Sequence, residues 1–110
     1  MEPPTRSARQ RKLDTLSRLE NDIDCWVSTA DPATATPYLV PLSFHWYEER
    51  LLVATPVDSP TGRNLGATKK VRIGLGPTRD VVLIEATVEE VLPTVMSVSA
   101  WLLLRLRRRS

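Results

Sequence analysis

Five short runs of strand character crowd into residues 25–88, separated by turn signals, and their succession limits the chain to a mainly antiparallel β architecture. The clearest is 81–88, where Val82, Ile84, Ala86 and Val88 share one face while Glu85 and Thr87 alternate outward. Residues 38–46 alternate in the same way, with Tyr38, Val40, Leu42, Phe44 and Trp46 on one face. Pro41 lies inside that run and has no amide N–H, so the strand is expected at an edge or at a bulge. Glu48 and Glu49 separate it from residues 51–55 closely enough for an antiparallel hairpin. Residues 25–29 and 71–75 complete the set.

Two helices punctuate the strands. Leu13, Leu16, Leu19 and Ile23 recur at spacings of three, three and four, which predicts an amphipathic helix from Ser7 to Asn21 or Asp22. Ser59, Pro60 and Thr61 are a hydroxyl cap followed by proline at the first helical position, opening a short helix to about Thr68. Helix, three strands, short helix, two strands is not the order of a doubly wound α/β fold.

The length of 110 residues suits one domain. Its net charge of +2 hides a polarity: +3 over residues 1–12, −5 over 13–104 and +4 over 105–110. The basic residues belong to the ends and not to a stripe on the body, so nucleic acid is not an expected partner. No apolar run reaches the roughly 18 residues of a membrane-spanning helix. The N-terminus is basic rather than signal-like, and a cytoplasmic protein without an integral membrane segment is expected. A single cysteine, Cys25, with only His45 beside it supplies no disulfide and no metal site. Cys25 reads as a small buried hydrophobe, and His45 as a packed or surface residue. No catalytic residue is assigned.

The most informative segment is 55–65. A strand ends, a hydroxyl-rich loop follows, and a helix begins with Arg63 in its first turn. Helix N-terminal amides, Ser59, Thr61 and the forked guanidinium of Arg63 suit a phosphate. A capped surface helix with an incidental arginine fits the same residues. The Walker spacing is absent.

Taken together, residues 26–31, 37–43, 52–55, 59–65, 71–76 and 78–89 resemble the pyridoxamine 5′-phosphate oxidase-like family of flavin-binding split barrels. The resemblance implies an antiparallel split β-barrel that dimerises, with FMN in a groove at the dimer interface and a small-molecule substrate. It places the backbone of Val40, Pro41, Leu42 and Ser43 beside the flavin ring, with Ala54 and Thr55 also touching it. Ser59, Thr61, Arg63 and Asn64 would hold the phosphate. The cofactor of such a protein carries the redox chemistry itself.

The chain departs from that family in three ways. Leu39, Phe44 and Thr61 stand where pyridoxamine phosphate oxidases have basic residues, which leaves room for the deazaflavin coenzyme F-420 and a deazaflavin-dependent reductase. The family's domain is longer. After Leu92 the resemblance ends, so the organisation expected is a leader over 1–6, a split barrel over 7–92 and a divergent basic tail over 93–110. The barrel is then expected to be incomplete at its C-terminus. The apolar run Ala100 to Leu104 and the Arg/Leu alternation after it suggest either an amphipathic helix or a poorly adapted tail. A non-catalytic cofactor- or haem-binding module, and an inactive truncated remnant, are the rival readings.

Overall fold

The computed structural model describes residues 6–93 and 99–107. Its elements are α1 (Ala8–Asn21), β1 (Asp24–Ala30), β2 (Pro37–Tyr47), β3 (Arg50–Pro56), α2 (Pro60–Thr68), β4 (Lys70–Leu75), β5 (Val82–Pro93) and β6 (Ser99–Arg107), with a 3-10 turn at Thr78–Asp80. The strands form a barrel in the order β1-β2-β3-β6-β5-β4, every ladder antiparallel, closed by pairing of β1 with β4. The fold is therefore mainly β with two helices: antiparallel as the alternation and turn signals predict, and a split barrel as the resemblance implies.

Both helices begin where their caps place them. Ser7 Oγ accepts from the Gln10 amide at 3.0 Å, and Ser59 Oγ from the Gly62 amide at 3.0 Å. Of the predicted apolar stripe on α1, however, only Leu19 is buried; Leu13 is 50% and Ile23 71% exposed. The helix therefore rests on the barrel by a narrower face than its spacing suggests. α2 is shorter but deeper, with Leu65 fully buried among the core residues Val27, Leu51, Val53, Ile73 and Leu75.

β2 explains the split. Residues 37–43 pair with β1, whereas 44–47 pair with β3. β3 continues past that point, and its Ala54, Thr55 and Pro56 pair only with β6. The first half of β2 and the end of β3 thus each lack a ladder on the side facing the opening. Pro41 sits in that one-sided stretch, where its missing N–H breaks no sheet between two neighbours.

The face of β2 holding Val40, Leu42, Phe44 and Trp46 packs against the core. The outward face carries its own apolar row. Pro41 pairs with Trp26, Trp26 with Gly74, and Gly74 with Leu83 across four adjacent strands. Trp26 is 51% and Leu83 77% exposed.

The C-terminal reading is corrected in part. Where the sequence suggests a helix or an unadapted tail after an incomplete barrel, the backbone of Ser99–Arg107 is β6, inserted between β3 and β5. The physical reason is register. Leu102, Leu104 and Leu106 lie opposite the buried Val53, Leu51 and Ala86, so the Arg/Leu alternation is a strand period of two. A continuous apolar run such as 100–104 carries no period of its own to announce this. The predicted leader over 1–6 falls, except for Arg6, outside the described residues.

Candidate cofactor site at the start of α2

Among the described residues, the buried polar side chains are four: Thr29, Thr55, Thr61 and Asn64. They come from the end of β1, the end of β3 and the first turns of α2, and so gather where the barrel splits. α2 packs against β1, β2 and β3 at that place. Polar groups are costly in an interior unless they are bonded, so their concentration marks this end as chemically distinct from the apolar remainder.

The bonding is specific. Asn64 donates from Nδ2 to Thr29 Oγ1 at 3.2 Å, tying α2 to β1. Ser59 Oγ lies 3.3 Å from Thr55 Oγ1 and donates to the Pro56 carbonyl at 2.7 Å, tying the helix start to β3. Gly62 makes the tie possible. A Cβ at that position would stand 2.2 Å from the Pro56 carbonyl oxygen, so only glycine lets the first turn close on the loop.

The anion-binding capacity of this turn is smaller than a bare helix start offers. Pro60 has no N–H, the Gly62 amide bonds to Ser59 Oγ, and the Arg63 amide bonds to the Ser59 carbonyl at 2.9 Å. Thr61 is left as the first-turn amide without a partner among the described residues, and its side chain is buried. Arg63 is exposed and donates from Nη1 to the Asp58 carbonyl at 2.8 Å. A guanidinium has five N–H donors, so this contact leaves the others for an anion. Asp31 lies within the field of Arg63. Its carboxyl is held below the usual range first by the Thr34 amide, then by the Ala33 amide, with Arg63 as a minor contributor.

The remaining residues singled out in the sequence divide between two margins of the opening. Val40 and Leu42 are half-buried on β2, while Pro41 and Ser43 are exposed there. Ser43 Oγ donates to Asp24 Oδ1 at 2.9 Å. Ala54 is half-buried and Thr55 buried on β3. Thr29 and the close approach at Gly62 were missed: a threonine on a strand carries no signal of its partner, although a glycine at the third position after a cap is a hint of close packing.

Cys25 is buried and its thiol is pushed up to about 11, chiefly by desolvation, so it is a poor nucleophile at neutral pH. His45 is exposed on β2. A separate concavity of about 550 Å³ lies where α1 meets β1, with Asp22, Asp24, Trp26 and Gly76 in its wall. Its ionisable wall groups Asp22 and Asp24 would repel a phosphate, so the α2 end remains the candidate.

No protein-family model and no curated protein matches the sequence. Solved structures share its fold. An F420 reductase has a TM-score of 0.71 at 16% identity, covering 84% of this chain and 92% of that one. General stress protein 26 of Bacillus anthracis strain Sterne has 0.72 at 13% identity, covering 88% and 89%. An FAD-binding protein of Mesorhizobium loti has 0.66 at 13% identity, covering 88% of each chain. At such identities the likeness is one of fold.

Proposed function

We propose that this chain is a flavin-dependent oxidoreductase of the pyridoxamine 5′-phosphate oxidase-like type, binding FMN at the split between β2 and β3. The observation that carries this reading is the collection of all four described buried polar residues at the start of α2, beside that split. A fold shared with an F420 reductase and an FAD-binding protein supports it. Arg63 and the Thr61 amide would hold the phosphate, with Ser59 and Asn64 fixing the turn that presents them. The half of the backbone N–H and C=O groups of residues 37–43 not used in the β1 ladder faces the opening, where a planar polar ring has partners. When bound, a flavin exchanges hydride with a small-molecule substrate, and the chain's part is to bind, orient and exclude water.

A deazaflavin coenzyme of the F-420 kind is the second reading. Two observations favour it: the likeness to an F420 reductase, and the uncharged Leu39, Phe44 and Thr61 at the positions where pyridoxamine phosphate oxidases have basic residues. We also propose a homodimer, formed through the outward apolar row of Trp26, Pro41, Gly74 and Leu83, since soluble monomers seldom leave such a row to water.

The test has two arms. Absorbance and mass of the chromophore released on heat denaturation of the purified protein identify flavin, deazaflavin, haem or none. FMN titration of wild type, Arg63→Ala and Arg79→Ala at fixed ionic strength then locates the phosphate. Loss of charge-assisted hydrogen bonds worth about 1.5–3 kcal/mol predicts a roughly ten- to hundredfold weaker Kd for Arg63→Ala alone. Equal affinity of the Arg63 variant and wild type would move the phosphate elsewhere. Absence of any bound or bindable cofactor would leave the inactive-remnant reading in its place.

A further inference from the structure

α1 is fastened to the barrel by few groups. Leu19 is its one buried residue. The other fastening is ionic and converges on Asp80, the last residue of the 3-10 turn. Arg18 donates from Nη1 to the Asp80 carbonyl and from Nη2 to its carboxylate. Arg6, just ahead of the helix, donates from Nη2 to the other carboxylate oxygen at 2.8 Å and from Nη1 to Asp14 at 2.8 Å. The turn is shaped around this arginine pair. Gly76 has φ +81°, and a Cβ there would come within 1.7 Å of Arg18 Nη1, so the guanidinium fills the space that a side chain would need.

The same elements wall the 550 Å³ concavity. Asn21, Asp22 and Ile23, at and just past the end of α1, line it together with Gly76, and Cys25 and Trp26 line it from β1. Leu19 and Cys25 belong to one buried cluster. The distal end of this unit is tied down independently, because the Phe44 amide donates to the Ile23 carbonyl at 2.8 Å. Between the helix and that tie, Asp22 is already extended, at φ −74° and ψ 153°. The chain therefore has a pivot at residues 22–23 and a latch at Asp80.

We infer that α1 is an ionically latched strap: when Arg6 and Arg18 leave Asp80, the helix swings about residues 22–23, Leu19 withdraws from the core, and Cys25 in the same buried cluster opens to solvent. The latch is poised rather than permanent. Arg18 is 19% exposed, but the Asp80 carboxylate that both arginines share is 47% exposed and Arg6 44%, and a pair with so exposed a partner is weakened as salt screens it. Once they part, one leucine is the remaining buried anchor of a helix whose Leu13 already faces water.

Cys25 is the chain's only cysteine and is 3% exposed, so its reaction with an uncharged aromatic disulfide reports the opening directly. The full chain is assayed at fixed pH from about 0.01 to about 1 M salt, over which the screening length falls from about 30 to about 3 Å. We expect the wild-type rate to rise about three- to tenfold. Asp80→Asn should react at the high-salt rate already at low salt and lose the salt dependence, with Arg6→Gln intermediate. Arg72→Ala, which removes an exposed pair with Glu85 on the β4–β5 sheet, should behave as wild type. A urea series separates strap opening from unfolding. Opening of one helix exposes little surface, so the rate should be nearly independent of urea until the global transition. A wild-type rate indifferent to salt, an Asp80→Asn rate equal to wild type, or a rate that follows global unfolding at every urea concentration would each overturn the strap.

Discussion

Replacing Gly62 by alanine places a methyl group 2.2 Å from the Pro56 carbonyl oxygen and 3.0 Å from the carbonyl carbon and Cα of Val57. Ordinary contact begins at 3.4 Å, so the first turn of α2 or the loop before it must retreat by about 1 Å, and all three obstructing atoms are backbone. Retreat draws the Gly62 amide away from Ser59 Oγ, weakening a cap worth about 0.5–2 kcal/mol. It also shifts Leu65, which is fully buried three residues on, and forced repacking of a core costs about 1–3 kcal/mol. The expected loss is about 2–4 kcal/mol. Gly66 is the control within the same helix, because a Cβ there meets nothing within 4 Å. Alanine at Gly66 should therefore stabilise, by about 0.5–1 kcal/mol, through reduced freedom of the unfolded chain. Urea unfolding of the three proteins, followed by far-UV circular dichroism, measures both signs. Thermal melts should move in opposite directions, by about 4–8 °C per kcal/mol. A Gly62→Ala protein as stable as wild type would refute the close approach of α2 to its loop, and with it the geometry argued for the site.

Three further outcomes follow from the same structure. Asn64→Ala leaves the buried Thr29 hydroxyl without its donor and should cost about 1–3 kcal/mol, whereas Asn64→Leu combined with Thr29→Val should cost less than Asn64→Ala alone, as a double-mutant cycle by urea unfolding will show. Asp31 has a folded pKa below its unfolded one, so the unfolded state binds more protons and the group's contribution is present above the ordinary carboxylate value and lost as pH falls through the folded value. The stability difference between wild type and Asp31→Asn should therefore be constant near neutrality and vanish in acid; a difference that persists at the lowest pH would contradict the Thr34 and Ala33 amide bonds. Removing residues 99–110 deletes the ladder partner of both β3 and β5 and should yield insoluble or unfolded protein, and a soluble, cooperatively melting truncation would count against β6.

Local chemistry made much of this fold legible in the sequence. The cap at Ser59 fixed where α2 begins, because a hydroxyl that accepts a first-turn amide acts within three residues, and the leucine spacing placed α1 from about Ser7. Alternation over 38–46 and 81–88 set which side chains face inward, since a strand has no other way to present every second residue. Even the oddity of Pro41 pointed to an edge or a bulge before any partner was known, and the one-sided pairing of 37–43 is the former. Tertiary structure decided the rest, and in each case the cause is a partner distant in the chain. β6 became a strand because β3 and β5 pair with its backbone on either side, with Leu102, Leu104 and Leu106 in register opposite Val53, Leu51 and Ala86. The predicted stripe on α1 was cut to Leu19 as its one buried residue, while Arg6 and Arg18 tie that end of the chain to Asp80 on a turn 62 or more residues away. The Ser59 motif could be read equally as phosphate cradle or plain cap; what distinguishes this end of the barrel is Thr29, 35 residues away, meeting Asn64 inside it. Periodicity and capping are properties of a few consecutive residues, whereas register, burial and the gathering of polar groups exist only once remote segments touch.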